Sequence, residues 1–124
     1  MADPKSILDY EIVNSLKDID ENNPSFFLEL IDLYVKQFID KLRMIDELMT
    51  SNDQAKIAGL LHQMKSSSGN VGATPLYEYC QKLETAAKNT EITSAEIVIL
   101  KEMFSLASSE LETVCSELKR KLFA

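Results

Sequence analysis

His62 is the single histidine of the chain, and Lys65 follows it three residues later. On a helix that spacing brings two side chains within reach of each other. An imidazole near neutral pH is both a nucleophile and a proton carrier. An ammonium group one turn away repels a metal cation, so the pair makes a poor metal site. It suits an imidazole that takes on negative charge, as when it carries a phosphoryl group, because the ammonium then offsets that charge through a charge-assisted hydrogen bond. Further along, Gln81 and Glu84 are spaced so that a neighbouring antiparallel helix brings one of them beside the ring. Either would fix its tautomer and orientation. The plainer alternative for each residue is a solvated polar side chain, and position along the helix has to decide.

Other chemistries fail on residue types and spacing. One histidine and two distant cysteines, Cys80 and Cys115, give no zinc pattern, so no metal site is expected. No GxxxxGK[ST] loop is present, so the chain is not expected to bind ATP or act as its own kinase. No GxSxG is present either. The run Ser66-Ser67-Ser68 invites a nucleophile, but at helical spacing Ser68 points into the apolar stripe and Ser67 to the opposite flank. The cysteines fall on apolar faces and are expected reduced and buried.

A period near 3.6 residues runs through almost the whole chain, and no stretch alternates with period 2. Asp3-Pro4 reads as the cap and first turn of a short helix carrying Ile7, Leu8, Ile12, Val13, Leu16 and Ile19. Asn23-Pro24 opens a long helix with Leu28, Ile31, Val35, Phe38, Leu42, Ile45 and Met49 on one side, widened by Phe27, Leu30 and Tyr34. After the break at Thr50 to Asp53, Ser51 and Gln54 have the spacing of a capping box. A third helix then carries Ile57, Leu61, Met64, Ser68 and Val71, ending near Gly72. Thr74-Pro75 starts a fourth with Leu76, Cys80, Leu83 and Ala87. Thr93 and Glu96 form a second capping box ahead of a last helix bearing Ile97, Leu100, Phe104, Ala107, Leu111, Val114 and Leu118. The fold expected is all-α: an up-down-up-down four-helix bundle with an extra short N-terminal helix across one end, residues 1–124 forming a single domain. A coiled-coil dimer through the last helix is the competing architecture.

Counting about 100° per residue from Ile57 puts Leu61, Met64, Ser68 and Val71 within roughly 40° of it and His62 at about 140°. The imidazole should therefore face solvent. Around it, Ala55, Ala58, Gly59, Ser66 and Gly69 are all small where a solvated face would carry Glu, Lys or Arg. Gly59 in mid-helix costs about 1 kcal/mol relative to alanine. Such a bare surface lets a large partner approach the ring closely. The alternative is that the small residues face a neighbouring helix.

The chain has 124 residues, a 45% hydrophobic fraction and 27% charged residues. These values fit a soluble globular protein with a core of its own. Its formal net charge of −7 argues against nucleic acid and against anionic membrane surfaces as partners. No apolar run reaches the length of a membrane span, and no signal peptide is visible. The expected location is cytoplasmic and the expected state monomeric.

The segment from His62 through Gln63, Met64 and Lys65 to Gly72 and Ala73 resembles the signature of histidine-containing phosphotransfer (HPt) domains, roughly H-x-L-K-G-S-S-x-x-x-G-A. Cys80 and Leu83-Glu84 match the C-x-x-L-E continuation of that family, and Ile7-Leu8-Asp9 its opening. The resemblance implies a four-helix bundle with His62 as phosphoacceptor, Lys65 as the phosphate-neutralising lysine, Gly72 as a helix-packing glycine and Glu84 as the support of the imidazole. It further implies a phosphorelay intermediate in two-component signal transduction. Such a protein takes a phosphoryl group from an aspartate of a receiver domain and passes it to another. Its partners are the receiver domains of hybrid histidine kinases and response regulators. It is not an enzyme with its own kinase domain, and it needs no cofactor, Mg²⁺ being brought by the receiver. One departure is Ser66, which stands where the family usually has glycine. The reading from a different class is a non-catalytic helical adaptor that binds a signalling partner.

Overall fold

The computed structural model describes residues 6–19 and 23–122. Among these residues five helices follow one another: α1 (Tyr10–Asp18), α2 (Ser25–Ser51), α3 (Gln54–Asn70), α4 (Thr74–Asn89) and α5 (Ser94–Leu122). Helices α2 to α5 form the bundle, each packed on the next and α5 closing back on α2. Their connections are too short for anything but antiparallel neighbours. Within α3 and α4, Gly69 meets Tyr77 near the tight turn, and His62 meets Glu84 two turns further down.

The core is lined by the stripes that the helical period marks out. Ile57, Leu61, Met64, Ser68 and Val71 from α3 and its end are buried, as are Leu76, Cys80, Leu83 and Ala87 from α4. Helix α5 contributes Ile97, Leu100, Phe104, Ala107, Leu111 and Val114. The α2 stripe is rotated from its expected centre. Phe27 and Tyr34 are buried, whereas Leu28, Val35 and Met49 are half-buried. Aromatic rings account for the difference. Phe38 stacks on Phe104 with centroids 4.2 Å apart, and Tyr34 lies 6.1 Å from Phe104 edge-on, so the wide side chains take the bundle axis.

Helix starts and stops differ from expectation in two places. Helix α1 begins at Tyr10, with Asp9 as its cap, the Asp9 side chain accepting from Glu11 N. Ile7 and Leu8 thus precede the helix, although Leu8 is still buried. Asp3-Pro4 lies outside the described residues. Between α2 and α3 the Ser51–Gln54 capping box does not form. Helix α2 runs through Ser51 and stops at Asn52 in the left-handed region, and Asp53 caps α3 by accepting from Lys56 N. Asn tolerates that backbone region, and with Ser51 still inside α2, its hydroxyl turned back to Leu48 O, Asp53 is the capping side chain left at the start of α3. The Thr93–Glu96 box does form, in both directions.

Helix α1 lies against the end where α3 turns into α4. Asp9 N donates to Gly72 O at 2.7 Å. Gly72 has φ +85°, and a Cβ there would sit 3.0 Å from Asp9 O and 3.1 Å from Val13 Cγ2. Only glycine permits both that backbone and that approach. Of the two thiols, Cys80 is fully buried, which pushes its pKa up to about 12. Cys115 is only half-buried, and both are free. No helix is long and apolar enough to cross a membrane among the described residues.

Candidate functional site

His62 sits in the middle of α3, where intact helix on both sides holds its backbone. Its side chain is 61% exposed. Its Nδ1 lies 3.1 Å from Glu84 Oε2, on the facing helix α4. Among the described residues Glu84 is the one buried carboxylate, 7% exposed at its side chain, and three donors reach it. Lys65 Nζ donates to Oε1 at 2.9 Å; Lys88 Nζ donates to Oε2 at 2.9 Å; the ring Nδ1 completes the set. The Lys65 hydrogen bond is the main cause holding the Glu84 carboxyl down at about 2, against the opposing effect of burial, with Lys88 and His62 adding to it. An ionised carboxylate only accepts hydrogen bonds. The proton of the neutral ring is therefore on Nδ1, and the Nε2 lone pair points away from Glu84 toward the open side.

The helical period explains which neighbours end up where. Measured from Ile57 on α3, Lys65 falls at about 80°, Ala58 at about 100° and Gly69 at about 120°. These positions face α4. Ala58 is accordingly buried at 3% exposure and belongs to the α3–α4 seam, not to the open surface expected for it. Gly69 is half-buried and lies under the Tyr77 ring, whose Cδ2 would come within 3.1 Å of an added Cβ. So it makes room for a helix neighbour rather than for a visiting protein. Ala55, Gly59 and Ser66 fall at roughly 160–200° and are exposed. A Cβ added at Gly59 would meet nothing within 4 Å. Ser66 Oγ turns back to His62 O at 3.3 Å.

The same count on α4, taken from Leu76, puts Glu84 at about 80° and Gln81 at about 140°. Glu84 is therefore drawn into the seam while Gln81 stays exposed with no hydrogen bond to His62. Lys65 does not stand free beside the ring. Its side chain is 15% exposed and bound to Glu84. Lys88, not singled out from the sequence, completes the cluster. Its signal was available: it follows Glu84 by four residues, the spacing of a helical ion pair.

Beside the ring a shallow groove of about 840 Å³ runs along the α3–α4 seam, lined by Ala55, Ala58, Gly59, Ala87 and Lys88 among others. Among the described residues no three His, Cys, Asp or Glu side chains come together as a metal site would require. The arrangement is that of an oriented, solvent-facing nucleophilic nitrogen, backed by a carboxylate and two ammonium groups, on a surface without bulk.

The sequence model described as Hpt domain matches residues 29–121. Histidine-containing phosphotransfer protein 1 of Arabidopsis thaliana is 26% identical over 117 residues, covering 89% of this chain and 74% of that protein. The phosphorelay intermediate protein YPD1 of Candida albicans is 20% identical over 78 residues, which make up 63% of this chain and 42% of that one. In fold, the crystal structure of histidine-containing phosphotransfer protein B from Pseudomonas aeruginosa superimposes with a TM-score of 0.82 at 24% identity, covering 94% of this chain and 98% of that one.

Proposed function

The chain belongs to the Hpt domain family, and on that footing we propose that it is a phosphoryl carrier of a multistep phosphorelay, with His62 as the acceptor. The observation that carries this reading is the hydrogen bond from His62 Nδ1 to Glu84 Oε2. It leaves Nε2 as the nucleophile on an exposed ring. In the proposed transfer, the Nε2 lone pair attacks the phosphorus of an aspartyl phosphate on a receiver domain. The N–P bond forms as the O–P bond breaks, and the aspartate leaves with the bonding pair as a carboxylate. The ring keeps its Nδ1 proton and now bears positive charge, which the Glu84 carboxylate faces directly. Lys65, fixed beside it, adds positive potential near the incoming phosphoryl oxygens. Catalysis of this kind is positioning and charge stabilisation.

The receiver domain docks over Ala55, Gly59 and Ser66, and the groove beside the ring extends its seat. Mg²⁺ belongs to the receiver's side of the transfer. Return of the phosphoryl group to a second receiver is the same step reversed, so the direction of flow is set by the partners: receiver domains of hybrid kinases and response regulators. The proposed setting is cytoplasmic and the proposed state a monomer.

The test is incubation with a phosphorylated receiver domain. An acid-labile, alkali-stable label on the wild-type protein that disappears in His62→Gln supports the carrier. Receiver binding with no transfer at any pH overturns it in favour of an adaptor.

A further inference from the structure

Two lysines reach Glu84, and they are not equivalent. Among the described residues Glu84 Oε1 has Lys65 as its one donor. Oε2 has two, the ring Nδ1 and Lys88 Nζ. Withdrawing Lys65 would strip Oε1 bare inside a carboxylate that is 7% exposed. Such a loss costs the desolvation penalty of a buried charged group. Withdrawing Lys88 leaves each oxygen with one donor. The Lys88 side chain is also 61% exposed against 15% for Lys65, so its ion pair is worth little and water replaces it readily. Lys88 lines the groove that holds the ring.

From this asymmetry we infer that Lys88 is the exchangeable ligand of the site, leaving Glu84 Oε2 to bind the phosphoryl oxygens once His62 is loaded, while Lys65 stays on Glu84. The inference rests on the carrier reading above and assigns the direct contact to a lysine outside the histidine motif. Transfer itself drives the exchange. The phosphorylated ring becomes cationic, so its Nδ1–H bond to Oε2 strengthens and the ammonium sharing that oxygen is repelled. Two hydrogen bonds, through Glu84 Oε2, link the Lys88 ammonium group to Nδ1 of the ring that carries the new dianion. No proton moves: Lys88 keeps its charge and changes the oxygen to which it donates.

The experiment loads the full chain chemically with phosphoramidate, which needs no partner protein, and follows it by NMR. Lysine Cε–Hε signals are assigned with Lys65→Met and Lys88→Met. On loading, the Lys88 signal is expected to move and the Lys65 signal to hold. In ³¹P spectra the second ionisation of the phosphohistidine is expected to rise by about 0.5–1 unit in Lys88→Met, the size of one lost neighbouring charge. Lys88→Arg should restore it. A purely structural lysine would not move that ionisation. An unmoved Lys88 signal, or an unchanged ³¹P titration in Lys88→Met, overturns the inference while leaving the carrier intact. A wild-type chain that takes no phosphoryl group on His62, from phosphoramidate or from a receiver, brings down the carrier reading and this inference with it.

Discussion

Glu84 Oε2 lies 3.1 Å from His62 Nδ1, so a carboxylate delivered by α4 faces the rear edge of an imidazole carried by α3. The pairing decides which nitrogen is free and what meets the charge that appears on the ring. Glu84→Gln keeps an oxygen able to accept the hydrogen bond from Nδ1–H but removes the negative charge. Transfer to His62 is expected to slow by roughly tenfold, since a charge-assisted hydrogen bond becomes a neutral one. Glu84→Ala should be worse, leaving Lys65 half-buried without its partner and costing about 2–3 kcal/mol of stability. Rapid-quench transfer assays and thermal melts of both variants check this; equal rates in wild type and Glu84→Gln would show the carboxylate to be a bystander.

The same carboxylate makes stability depend on acid pH. Its folded pKa, about 2, lies below the ordinary carboxyl value of 4.5. A depressed carboxyl contributes stability that is fully present above the unfolded value and is lost as pH falls through the folded one. The wild type should therefore weaken between about pH 4.5 and pH 2 by an amount on the order of 2 kcal/mol that Glu84→Gln does not lose. Urea melts across that window would show the two curves converging as the pH drops. Parallel curves would mean that Glu84 titrates normally.

Gly59 separates docking from folding. Because a Cβ there meets nothing within 4 Å, Gly59→Ala should stabilise the chain by about 0.5–1 kcal/mol through helix propensity alone. Gly59→Glu should fold as well but place a long anionic side chain beside His62. Transfer from a receiver is then expected to fall by tenfold or more while chemical loading with phosphoramidate proceeds at the wild-type rate. Unchanged receiver transfer in Gly59→Glu would remove this face from the docking surface.

How far the sequence led is visible in single residues. The period of 3.6 found the helices and nearly all of the core, because a bundle buries one stripe per helix and the stripe is written in the apolar spacing. It also put His62 on the outside. It misplaced Ala58 and Gly69, since a small residue is equally at home on a docking face and in a close helix seam, and only the partner helix tells them apart. Choosing between Gln81 and Glu84 likewise needed the rotation of α4 about its axis, which an open pair of polar residues does not report; the choice came from the family resemblance. The end of α2 was hidden by competing caps, Ser51 and Asp53 being two residues apart. Lys88 was overlooked because an exposed lysine one turn after a glutamate is common, and nothing in its spacing said that this glutamate would be buried.

Tyr34 and Ser68 offer a last and sharper test, away from the chemistry. Their hydroxyls stand 2.8 Å apart in the core, joining α2 to α3, and burial pushes the Tyr34 hydroxyl pKa up. Each is the other's only partner in the hydrogen bonds of the described residues. Tyr34→Phe strands the serine hydroxyl, and Ser68→Ala strands the phenol. Each single change should cost about 1–2 kcal/mol, the penalty of a buried polar group without its partner. The double variant strands neither, so it should cost less than the sum of the two by about 1 kcal/mol. Chemical denaturation of the four proteins closes the cycle. Strict additivity would mean that the hydroxyls do not interact in solution, and that packing of Tyr34 against Phe38 and Phe104 alone ties α2 to the rest of the bundle.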